Sequence, residues 1–275
     1  MSAQRPAHRV EHGMFVREYS PQGAPETVLW VHGLGESGLC FERIAAHEKL
    51  REWRHLIPDL PSYGRSAWTD EPLSLTEQSD RLREWLETRH AGQVVVLGHS
   101  MGGVLALLFA ERHRSLVRAV IDVDGNKSRH DCSFSGQAVR YSVEDFVRSG
   151  FDALRDLVYR QGERDAAHRG YYASLRLCDP RAYLANSLEL IALSSAEDMA
   201  RRLAALDLPV LYVAGAPGGA SARTRKLLAE SRVPCVEIAP SGHWPFIDQP
   251  DRFADAIRRF LADLESTSAR SGGTR

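Results

Sequence analysis

The chain has 275 residues, 43% of them hydrophobic and 26% charged, which is enough to bury one large core with a small appendage. Its 35 Lys and Arg stand against 36 Asp and Glu, a formal net charge of −1 with no basic tract, so nothing in the composition calls for nucleic acid or an anionic membrane as partner. Cys40, Cys132, Cys178 and Cys235 are far apart and form no CxxC pair, which argues against a zinc ribbon or a disulfide scaffold and fits a reduced, cytoplasmic setting.

Residues 1–13 are polar, without the apolar stretch of a signal peptide, and nowhere do about 18 consecutive apolar residues occur. Short apolar runs then recur at 15–19, 27–31, 55–57, 94–97, 119–123, 210–214 and 235–238. Several are continuous Val, Ile and Leu, the pattern of strands buried on both faces of a parallel sheet. Helical patterns lie between them. Ser74-Leu75-Thr76-Glu77 has the form of a capping box and opens an amphipathic run through Leu82, Trp85 and Leu86; a second helix is predicted over 101–112 and a last over 250–264. This alternation predicts a wound α/β sheet with helices on both faces, whose ligands bind beyond the carboxyl ends of the strands.

One stretch breaks the rhythm. Residues 130–204 carry no strand pattern, but they do carry a second capping box at Ser142-Val143-Glu144-Asp145 and scattered aromatics at Phe146, Phe151, Tyr159, Tyr171, Tyr172 and Tyr183. A helical cap over the site is expected there, set into a core of 1–129 and 205–265, with 266–275 as a disordered tail.

Gly98-His99-Ser100-Met101-Gly102 joins the run 94–97 directly to a helix. A sharp strand-to-helix turn exposes the serine hydroxyl above the sheet, and the glycines on either side make room for it. Ser100 is therefore the candidate nucleophile, and the Met101 amide at the helix start is a candidate oxyanion donor. A serine hydroxyl needs a base, and His243 lies in the loop after the last predicted strand, the only histidine beyond His168. In His32-Gly33-Leu34-Gly35-Glu36-Ser37, after the run 27–31, glycines allow close backbone approach, and the Leu34 amide is the second oxyanion candidate.

Taken together, His32-Gly33-Leu34-Gly35, Asp59-Leu60-Pro61-Ser62-Tyr63-Gly64-Arg65-Ser66, Gly98-His99-Ser100-Met101-Gly102-Gly103 and Gly242-His243 resemble the α/β-hydrolase fold superfamily, in order and spacing, over residues 10–265. The resemblance implies a mostly parallel, eight-stranded sheet and serine-type chemistry. It also implies that the loop at 59–66 is mainly structural and borders the pocket.

The resemblance also exposes a departure. Most relatives place the triad acid after the strand matching 210–214, but here that loop reads Gly215-Ala216-Pro217-Gly218-Gly219-Ala220-Ser221 and holds no carboxylate. Some α/β-hydrolases supply the acid from the preceding strand, and Asp124 ends that strand here, with Asp122 and Asp131 as alternatives. The expected activity is hydrolysis of an ester-type acyl bond of a small, largely apolar substrate through an acyl-enzyme. Thioester, amide, lactone or carbon–carbon cleavage and acyl transfer are open to the same triad, and a non-catalytic small-ligand-binding protein of this fold is the alternative from another class. No cofactor or metal is expected, since the chain has no HExxH and no clustered His and Cys.

Overall fold

Val94, Val95, Val96 and Leu97 are all fully buried in a computed structural model, which describes residues 5–272 of the chain. They form part of an eight-stranded sheet with β1 (Ala7–Glu11), β2 (Met14–Tyr19), β3 (Thr27–Val31), β4 (Arg54–Pro58), β5 (Val94–His99), β6 (Val117–Val123), β7 (Val210–Pro217) and β8 (Cys235–Ser241). The spatial order is β1-β2-β4-β3-β5-β6-β7-β8, antiparallel for β1/β2 and β2/β4 and parallel across the rest. The parallel half covers every expected run from 27–31 onward. β1 is the strand the sequence conceals, because its residues are largely exposed and its place rests on backbone pairing with β2 rather than on an apolar run.

The registers bring the strand ends together. Val31 pairs with Gly98, His99 with Val123, Val123 with Val213 and Pro217 with Ser241, so the loops that follow β3, β5, β6, β7 and β8 leave the sheet on one side. The helix Leu75–Thr88 starts at the Ser74–Glu77 capping box, with both reciprocal bonds made, and buries Leu75, Leu82, Trp85 and Leu86. The helix Met101–Arg112 is apolar nearly all round and lies buried in the core.

Between β6 and β7 the chain is helical: Ser133–Ala138, a π-helical turn at Phe146–Gly150, then Phe151–Gly162, Ala166–Leu175 and Pro180–Ser195. This segment has its own aromatic core, with Phe146 stacked on Tyr183 at 5.9 Å and Phe151 tilted against Tyr183 at 5.4 Å. The helix Met199–Ala204, at the end of the 130–204 stretch, packs instead on Met101–Arg112 and Ala222–Glu230, in the layer that flanks the sheet.

The last helix, Pro250–Gly272, runs through residues expected as a disordered tail from 266; residues 273–275 lie outside those described. Phe253, Ile257, Leu261 and Leu264 bury its inner face, and Glu265 accepts the Trp53 indole N–H at 2.8 Å, so the helix is still anchored where the tail was to begin. All four cysteines are free. Among the described residues no helix is long and apolar enough to cross a membrane.

Candidate active site

Ser100 sits between β5 and its helix with φ 54° and ψ −120°, a backbone conformation a non-glycine residue holds only under constraint. The constraint is visible. Its amide donates to the Val123 carbonyl at 2.9 Å, tying the turn to β6, and a side chain at Gly98 would overlap the backbone of Gly102. The Met101 amide is the first of the helix and has no intrahelical acceptor by position.

Asp124 follows β6 directly and also takes a positive φ of 46°. Its amide bonds to the Val213 carbonyl at 2.9 Å, and its carboxylate turns toward the end of β7 and the loop beyond it. There it accepts from the amides of Gly215, at 3.1 Å, and Ala220, at 2.9 Å. A side chain on Gly219 would overlap this carboxylate. The loop that lacks an acid has thus become a glycine-rich cradle for an acid delivered from the neighbouring strand. Asp124 Oδ2 lies 3.8 Å from His243 Nδ1, longer than a hydrogen bond but closer than any other carboxylate contact to that ring among the described residues.

The two alternative carboxylates are engaged elsewhere. Asp122 is fully buried, accepts Lys127 Nζ at 2.6 Å and the Gly125 amide at 3.0 Å, and closes the turn that presents Asp124. Asp131 accepts from the amides of Lys127, Ser128 and Ser221 and from the Thr224 hydroxyl, bracing the start of the helical segment.

His243 is fixed by its neighbours in the chain. Asp248 accepts the Gly242 amide at 2.7 Å and the Ser241 hydroxyl at 3.1 Å, and the His243 ring meets the Trp244 ring edge-on at 5.3 Å. Its side chain keeps a quarter of its surface open to the cavity. Burial and, after it, the neighbouring His99 hold the imidazole below its ordinary value, while burial pushes the Asp124 carboxyl up against the pull of His99 and of the Gly215 and Ala220 amides. Burial thus disfavours a lone charge on either partner, so charges on the two rise most readily together.

Sequence reasoning passed over Glu36. Its carboxylate, 2% exposed, accepts the Gly33 amide at 2.7 Å, His99 Nδ1 at 2.8 Å and the Trp244 indole at 2.5 Å, while His99 Nε2 donates to the His243 carbonyl at 2.7 Å. Burial alone would raise Glu36, yet the charge and hydrogen bond of His99, joined by Trp244 and Gly33, bring it down to about 2. The clue in the sequence was an acid inside a glycine loop and a histidine beside the serine, neither with a local partner. Glu36 takes up the Gly33 amide, and Leu34, next in the loop, lines the cavity. His32 holds this loop from below: its Nε2 accepts the Leu60 amide at 3.0 Å, so its Nδ1 donates to the Gly33 carbonyl at 2.9 Å.

Leu34, Ser100, Asp124 and His243 line one cavity of about 460 Å³. Phe134, Tyr171, Leu190 and Trp244 give it apolar walls, and Asn126, Asp131, Asp165 and His168 polar ones. The loop at 59–66 contributes nothing to the lining; its Asp59 is occupied by Arg17 and the Gly38 and Arg65 amides, a purely structural role.

Residues 28–256 match the alpha/beta hydrolase family. A pimeloyl-[acyl-carrier protein] methyl ester esterase of Edwardsiella ictaluri is 30% identical over 253 residues, 86% of this chain and 93% of that one. The lipase LipV of Mycobacterium tuberculosis is 36% identical over 111 residues, 40% of this chain and 41% of that one, so this match spans less than half of either protein. Among solved structures, a putative aryl esterase from Burkholderia cenocepacia superposes with a TM-score of 0.75 at 20% identity, over 95% of this chain and all of that one.

Proposed function

The chain belongs to the alpha/beta hydrolase family, and from that premise we propose that it hydrolyses an ester-type acyl bond of a small substrate with Ser100 as nucleophile, His243 as base and Asp124 as the acid. The observation that carries this is the strained Ser100 turn facing the same cavity as a histidine whose Nδ1 side is turned to a buried carboxylate.

With Nδ1 toward Asp124, His243 offers Nε2 to the serine. Ser100 Oγ adds to the carbonyl carbon as its proton passes to Nε2, and the imidazolium forms beside Asp124, where the two charges offset each other. The carbonyl oxygen becomes an oxyanion and accepts from the Leu34 and Met101 amides. Collapse breaks the bond to the leaving alcohol, which takes the proton from His243 and leaves an acyl group on Ser100. Water then adds to the acyl carbon by the same route, its proton going to His243, and the free acid departs as Ser100 is reprotonated. A cavity of about 460 Å³ suits a small substrate, and Phe134, Leu190 and Trp244 favour a largely apolar body for it. The helical segment between β6 and β7 acts as the cap, and selectivity resides in its lining residues. The methyl ester esterase among the relatives supports an ester as the bond cleaved, with thioester, amide, lactone and carbon–carbon bonds open to the same triad.

A fluorophosphonate probe tests this reading. One equivalent is expected on Ser100, with none on folded S100A; wild-type protein that is folded and stays unlabelled would refute it.

A further inference from the structure

His99 lies beneath the triad, 1% exposed, with an acceptor on each side of its ring. On Nε2 the acceptor is the His243 carbonyl, which can only accept, so that nitrogen carries a proton. On Nδ1 it is a Glu36 carboxylate whose other neighbours, the Gly33 amide, the Trp244 indole and, at 4.0 Å, the Cys40 thiol, all donate to it. Two N–H groups and a thiol donating to one carboxyl group favour its ionised form, and His99 then carries protons on both nitrogens.

The pair ties the loops after β3 and β8 to the end of β5. Glu36 comes from the loop after β3, His99 from the end of β5, and His243 with Trp244 from the loop after β8. The bonds to Gly33 and to the His243 carbonyl therefore fix the oxyanion loop and the base relative to Ser100, the residue next to His99. The His99 ring centroid is 4.7 Å from that of His243, so a buried cation stands beside the base. The other titratable groups around His243 are Asp124 at the end of β6, Glu36 behind His99, and Asp131 and His168 from the helical segment.

Taking Ser100, Asp124 and His243 as the triad, on which this rests, we propose that the Glu36–His99 ion pair is the positioning device of the site: it sets the backbone of the base through the His243 carbonyl and keeps the His243 ring neutral, ready to accept a proton. Glu36 and His99 act through His243 and the Gly33 loop, not on a reacting atom. The positive charge beside the base extends activity to lower pH, since protonating His243 there places two cations side by side.

The test compares pH profiles of kcat/KM for an aryl ester in wild type, E36Q and H99N. Both variants remove the cation, so the acid limb is expected to move to higher pH by about one pH unit, with kcat lowered about tenfold or more and KM little changed. Acid limbs that coincide with wild type, however unstable the variants, overturn the proposal. Nitrogen-15 spectra of the histidine rings decide the matter should neither variant fold: His99 of the wild type is expected doubly protonated near neutral pH, and a neutral His99 overturns the proposal. Fluorophosphonate labelling is run alongside. Labelled wild type with unmoved limbs overturns the role of the pair alone, whereas a wild type that never labels overturns the triad and this inference with it.

Discussion

Asp124 holds a left-handed backbone and a buried carboxylate at the same residue, and both are secured by β7 and the loop that follows it. Asp124→Asn keeps an oxygen for the Gly215 and Ala220 amides but lets the histidine settle in the wrong tautomer; kcat is expected to fall about 10³- to 10⁴-fold, with an unchanged melting curve. Asp131→Asn, by contrast, should lower stability far more than turnover, because Asp131 holds backbone and not the base. Glu36 makes a prediction in pH. Its carboxyl drops from 4.5 in the unfolded chain to about 2 in the fold, so its contribution to stability is fully present above about pH 4.5 and is lost as pH falls through 2. His99 is raised above 6.5, so its contribution is complete below 6.5 and fades as pH rises through the folded value. The melting-temperature gap between wild type and E36Q should therefore be widest between about pH 4.5 and 6.5 and narrow on either side, as a thermal scan series will show. Ser100 and His243 were legible because their signals are local: glycines two residues either side of a serine, and a histidine just past a strand. Glu36 was not, because its partner His99 lies 63 residues away and only the sheet brings them together.

At the scale of elements, the turn between β6 and the helical segment brings Asp124, the acid of the proposed triad, to the His243 ring. Lys127, fully buried, donates to Asp122 at 2.6 Å and to the Gly125 and Asn126 carbonyls at 3.2 and 3.3 Å, while the Tyr212 hydroxyl also bonds the Gly125 carbonyl at 3.0 Å. Lys127→Met leaves Asp122 buried without its counter-charge. A loss of about 3 kcal/mol or more is expected in urea unfolding, with turnover falling as the turn loosens; an unchanged midpoint would contradict this role. The buried parallel strands were readable from continuous apolar runs, and the helix Leu75–Thr88 from its capping box. β1 was not, since an edge strand with exposed side chains has no apolar signature. The empty loop at 215–221 read only as a deficit; its meaning, a cradle for Asp124, needed the β6–β7 pairing.

Over the whole molecule, 35 basic residues nearly balance 36 acidic ones, but the cavity does not share the balance. Glu36, Asp124, Asp131, Asp165 and Asp248 line it, and among the described residues no lysine or arginine does. An added anion meets these carboxylates there and no lysine or arginine. A neutral ester is therefore expected to have a kcat/KM about tenfold or more above that of the same ester whose acyl chain ends in a carboxylate, the gap shrinking with salt; equal rates would remove this selectivity. The convergence of five strand-end loops on one cavity makes the fold and the chemistry a single claim, that an acyl group passes through Ser100. Quenching the enzyme in acid during turnover of an aryl ester and weighing the peptide that holds Ser100 tests this most directly. The acyl mass is expected on that peptide in wild type and absent in S100A, which should turn over at least about 10⁴-fold more slowly; wild-type turnover by S100A, or brisk turnover with no adduct on that peptide, would contradict it.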